Sequence, residues 1–112
     1  YNNDDLKAVS GYQAKMGGWL PGGNAWYEAI GGLPPGQQKA LNAMRDLQNL
    51  QYQAFEKEPN GPVANALASI GIAKNDRDLP VMMQRIREKR DILQKAIQGQ
   101  AQAGEDRTRG SY

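Results

Sequence analysis

A chain of 112 residues, 39% hydrophobic and with a mean hydropathy of -0.75, has room for one small domain with a modest core. Its formal net charge of +2 neither favours nor excludes nucleic acid as a partner. The lack of cysteine and histidine excludes a disulfide framework, thiolate chemistry, the usual zinc sites and the usual general base.

Charge is unevenly placed. Residues 74 to 95 carry seven Lys/Arg against four Asp/Glu, whereas residues 1 to 58 carry five against six. No apolar run approaches the roughly 20 residues of a membrane span, and the amino terminus lacks a basic-then-apolar signal pattern. The chain opens at Tyr1 rather than Met, as a processed or excerpted segment would.

The opening NNDDLKAVSGY predicts a short helix, with Asn3 as cap, Asp4 and Asp5 in the first turn, and Gly11 weakening or ending it. Leu6 and Val9 share its buried side. Residues 17 to 36, GGWLPGGNAWYEAIGGLPPG, hold seven of the thirteen glycines, three of the six prolines and both tryptophans. Pro21-Gly22 and Pro35-Gly36 read as centres of type II turns. Between them Asn24 caps a two-turn helix, Ala25 to Ile30, which Gly31 ends in the left-handed conformation.

Residues 37 to 58 predict the first long helix. Its apolar arc comprises Ala40, Leu41, Ala43, Met44, Leu47, Leu50, Tyr52, Ala54 and Phe55. Gln48 and Gln51 fall inside that arc, and buried amides need partners, so both are expected at a helix–helix seam or a wet interface. Pro59 stops the helix. Asn60-Gly61-Pro62 starts a short one, with Asn60 as cap, that carries Val63, Leu67 and Ile70 and ends at Gly71.

Asp78 caps the second long helix, whose narrow stripe is Leu79, Met82, Met83, Ile86, Leu93 and Ile97. Arg90 lies inside the stripe and should snorkel or meet a carboxylate. Gly99 ends the pattern, and the polar tail 99–112 reads as flexible unless a partner holds it. No segment alternates like a strand. The expectation is therefore an all-α domain over 1–98, with two long amphipathic helices, two or three short ones and Gly/Pro turns.

Candidate chemistry is sparse. Residues 17 to 36 have no Lys or Arg and no preceding strand, so a phosphate loop is disfavoured against turns and caps. Glu28, Glu56, Glu58 and Glu88 show no catalytic spacing, and no cofactor, metal or enzymatic activity is expected. Arg85, Arg87, Lys89 and Arg90 are the candidates for nucleic acid. They point different ways round a helix and are interrupted by Glu88 and Asp91, which favours a solvated face with local ion pairs. Trp19, Trp26 and Tyr27 are the natural anchors of the glycine-rich stretch, either to the domain's own core or to a neighbour.

One order of features resembles a known class. It runs Leu6, Gly11 and Leu20-Pro21, then a helix rich in Asn and Gln (Asn42, Gln48, Asn49, Gln51, Gln53), then Gly61-Pro62-Val63. Asp78-Leu79-Pro80 follows, and then the helix from Arg85 to Leu93 with its Lys/Arg beside the apolar stripe. This resembles a C-terminal helical region of tailed-bacteriophage virion proteins, of the internal or DNA-ejection type. The resemblance implies a virion location, assembly as an oligomer with copies of itself or other virion proteins, possible contact with packaged DNA, and passage to the host envelope during ejection.

The leading expectation is thus a structural, non-enzymatic assembly protein acting through helix packing. Its interface candidates are Trp19, Trp26, Tyr27, Gln48, Gln51, Met82, Ile86, Arg90 and Leu93. The alternative is a nucleic-acid-binding domain using the basic helix 80–97.

Overall fold

The structure is a computed structural model that describes the backbone of residues 1–110 and the side chains of residues 1–96. It is all-helical, as the sequence predicts. Among the described residues, five α-helices succeed one another in chain order: α1 (Asn3–Lys15), α2 (Gly23–Ile30), α3 (Pro35–Tyr52), α4 (Pro62–Ile70) and α5 (Leu79–Gly110). A π-helical turn, Gln53–Lys57, continues α3. α5 packs chiefly on α4 and also meets α1 and α3, while α1 lies along α3. One core results. Leu6 and Val9 of α1, Leu41, Met44 and Leu47 of α3, Leu67 of α4, and Leu79, Met82 and Leu93 of α5 all belong to it.

Several caps differ from the sequence expectation, each for a local reason. Asn2, not Asn3, caps α1: its side chain accepts the Asp5 N–H at 3.0 Å, and the Asp5 carboxylate accepts the Asn2 N–H at 3.1 Å. This reciprocal box satisfies two otherwise orphaned donors. Gly11 does not end α1, which continues to Lys15. The helical cost of one glycine is about 1 kcal/mol, and burial of Leu6, Val9 and Gln13 on one face of α1 outweighs it.

Neither Pro-Gly pair is a type II turn. Pro34 is the N-cap of α3 and Pro35 its first residue, where a fixed φ suits the helix and the missing N–H costs no hydrogen bond. Gly22 sits at φ -107° and caps α2 without a side chain, so Asn24 is not the cap. The left-handed glycines are Gly17, Gly18, Gly23 and Gly71. Gly31, expected among them, is right-handed at φ -60°.

Gly61 takes the N-cap of α4 in place of Asn60, and Gly71, at φ 97°, ends that helix as expected. α5 starts after Asp78, whose carbonyl accepts the Met82 N–H at 3.0 Å. It contains one non-helical residue, Lys89 (φ -117°, ψ 19°), inside the basic run. Arg90, next to this break, is exposed, while Leu93 is buried in the core. Gly99 does not end the helix. The side chain of Ile97 and the side chains of the polar tail 99–112 lie outside the described residues.

Candidate functional site

The glycine-rich stretch is fastened to the helices by side-chain amides. Gln13 donates to the carbonyls of Gly18, at 3.0 Å, and of Arg77. Gln48 grips Leu20 from both sides, accepting its N–H at 2.7 Å and donating to its carbonyl at 3.2 Å. Gln38 donates to the Leu33 carbonyl at 2.8 Å. Irregular backbone needs partners when it is drawn against a core, and glutamine, with a donor and an acceptor on a long stem, supplies them.

α2 hangs between these fastenings. Trp26 is 1% exposed, and its indole N–H donates to the Asn42 side chain at 2.8 Å. The Arg45 guanidinium covers the same ring, 5.4 Å from its centroid. The Tyr12 hydroxyl donates to the Ala29 carbonyl near the other end of the helix. Of the three expected anchors, Trp19 is half-buried beside Arg77. Trp26 anchors α2 to the protein's own core, while Tyr27, the next residue and 71% exposed, faces outward.

Of the other interface candidates, Gln51, Met82 and Leu93 are buried within this chain and offer no surface to a partner. Gln48 and Ile86 are half-buried, and Arg90 is exposed. The two in-arc glutamines do find partners, but these are loop carbonyls rather than a helix–helix seam. Gln51 Nε2 donates to the carbonyls of Ala73, at 2.8 Å, and Asp76, at 3.0 Å, with a weaker approach to Lys74 at 3.4 Å. That amide closes the α4–α5 linker, which also folds on itself through the Ala73 N–H bond to the Asp76 carboxylate at 2.7 Å.

The Gln51 Oε1 atom, by contrast, is buried with no hydrogen-bond partner. Gln51 forms part of an open cleft of about 470 Å³, walled by Trp19 and Tyr52 and edged by Glu56, Lys74 and Arg77. The Arg77 guanidinium lies 5.5 Å from the Trp19 ring centroid. Lys74 and Glu56 face each other at 3.9 Å, both about half exposed. The π-helical turn helps form this cleft by carrying Glu56 onto the same side as Gln51 and Tyr52. Tyr52, expected in the apolar arc, is 55% exposed.

The basic run does not form a single face. Arg85 donates to the Gly71 carbonyl at 3.1 Å, and so bonds the C-cap of α4. Arg87 donates to the Asn3 side chain at 2.9 Å and lies 5.6 Å from the centroid of the Tyr1 ring. Both arginines therefore turn to neighbouring elements rather than to Glu88 or Asp91. Arg87 and Arg90 share a shallow depression with Asn3, Gln84 and Glu88, whereas Arg85 lines a different groove between α1 and α5. Lys89 is the non-helical residue of α5.

Two residues that sequence reasoning passed over are Gln13 and Asn42. Gln13 was legible, standing at i+7 from Leu6 and i+4 from Val9 on the buried face of α1. Asn42 carried no such signal, since it lies on the exposed side of α3 and is chosen by the Trp26 indole. Among the described residues, no group of three or more acidic side chains is placed to hold a metal ion, and no helix is long and apolar enough to cross a membrane. No protein family, curated protein or solved structure matches the chain.

Proposed function

We propose that this protein is a helical assembly module of a phage particle, part of an internal or tail-associated complex used in genome ejection, and that it acts by protein–protein contact. The observation that carries the assembly reading is the set of apolar side chains left outside a core that is complete without them. Tyr27 on α2, and Val81 and Ile92 on α5, are large and exposed. Val81 and Pro80 line the groove between α1 and α5, which has polar rims from Lys7, Asp78 and Gln84. Apolar residues ringed by polar ones are the usual composition of a surface that docks another protein. The phage setting is supported by the order of sequence features from Leu6 to Ile97.

Sedimentation across a range of concentrations tests the assembly reading. The chain is expected to associate with itself or to co-sediment with another virion protein, and Tyr27→Arg or Val81→Arg should shift it toward monomer with its thermal stability unchanged. A compact monomer at every concentration that retains no virion protein would overturn it.

A further inference from the structure

The cleft beside Trp19 is not used by the assembly reading, and its chemistry is of another kind. We propose that it is a nucleotide site, with a nucleobase lying against Trp19 and Tyr52 and a phosphate held by Lys74 and Arg77. Its volume of about 470 Å³ falls within the range of small-molecule pockets. Nucleobases are flat and carry N–H donors at their edges, and the cleft offers what such a group needs.

The walls are aromatic, and every base has a π-face to stack on them. Arg77 is already positioned over the Trp19 ring, so a phosphate bound to its guanidinium brings the attached base to the aromatic wall. Lys74 is held only by a long, half-exposed pair with Glu56, a contact of the kind worth little in water and readily exchanged for a phosphate. With Lys74 and Arg77 against Glu56, the cleft keeps a net positive charge.

Gln51 also lines the cleft. Its amide nitrogen is fully engaged with the linker carbonyls. Those bonds fix the orientation of the amide, and its oxygen is buried without a hydrogen-bond partner. This inference is independent of the virion reading, because a nucleotide can come from a free mononucleotide or from an unpaired strand.

Tryptophan fluorescence of the full chain, checked by calorimetry, tests the site. The probes are deoxyadenosine monophosphate, a short single-stranded oligodeoxyadenosine and inorganic phosphate. Saturable quenching by either nucleotide supports the proposal, and tighter binding of the oligonucleotide identifies a strand as the source. Equal affinities identify the free nucleotide. Lys74→Gln and Tyr52→Ala are both exposed and leave the core intact, and each should weaken binding roughly tenfold, whereas Arg85→Gln should not weaken it. No saturation at millimolar nucleotide would overturn the proposal. So would phosphate binding as well as the nucleotides, binding that survives Tyr52→Ala but is lost in Arg85→Gln, or capture of an acidic peptide where the nucleotides fail.

Discussion

The glycines at positions 11 and 71 give the same substitution opposite signs. Gly71 ends α4 at φ 97°, with open space where a Cβ would stand. Gly71→Ala therefore meets no clash, and its cost is the left-handed backbone alone, about 1–2 kcal/mol. Gly11 lies inside α1, also in open space. There, Ala removes unfolded-state freedom and stabilises by about 0.5–1 kcal/mol. Urea denaturation of the two variants should move the midpoint down for Gly71→Ala and up for Gly11→Ala. Equal shifts would mean that the helix ends are misplaced. Gln51 is the other residue whose single side chain carries much of the local structure. Gln51→Leu keeps the apolar volume but frees the linker carbonyls of Ala73 and Asp76, and should lower stability by about 1–3 kcal/mol in the same assay.

At the scale of elements, periodicity served best where burial alone sets the pattern. α3 was legible because Ala40, Leu41, Met44 and Leu47 recur on one face, and all are buried. Gln51 stands at i+4 from Leu47 and i+7 from Met44, in the middle of that face, so its burial was legible while its partners were not. Those partners are carbonyls more than twenty residues away, and no spacing rule records such a pairing. Tyr52 stands at the margin of the arc beside the π-helical turn, which the sequence did not announce, and it faces the cleft instead. The turns were misread for a related reason, since Pro-Gly suits a helix start as well as a reverse turn: Pro35-Gly36 opens α3, and Gly22 caps α2.

The packing of α3 on α1 is close at one point: a Cβ on Gly36 would stand 2.7 Å from the Asp5 carboxylate. Asp5 is committed to the capping box of α1 and lies against the first turn of α3 at the same time. Gly36→Ala should therefore displace Asp5 and lose the box, costing about 1 kcal/mol. Asn2→Ala should cost about as much, and the double variant should cost little more than either alone. A double-mutant cycle in urea checks this, and simple additivity of the two losses would refute the shared mechanism.

For the molecule as a whole, residues 17 to 36 have the composition of a flexible joint and the bonding of a fixed one. Glycine there permits the conformations at Gly17, Gly18 and Gly23, but amides from α1 and α3 and the Trp26–Asn42 bond then hold the result in place. A segment tied in this way opens with a substantial fraction of the whole molecule's stability, whereas a free loop opens with almost none. The Leu20 amide reports on the difference, because its N–H goes to Gln48 and Leu20 itself is buried. In the intact protein it should exchange slowly with solvent deuterium, as an ordered element does. Gln48→Ala removes both bonds to Leu20, and the local opening should become easier by about 1–3 kcal/mol, while the amides of Met44 and Leu47 in the middle of α3 keep their protection. Rapid exchange at Leu20 in the unaltered protein would mean that the stretch is a hinge after all. Equal loss of protection at Leu20 and Met44 in the variant would instead make Gln48 a support of the whole helix rather than the clasp of this segment.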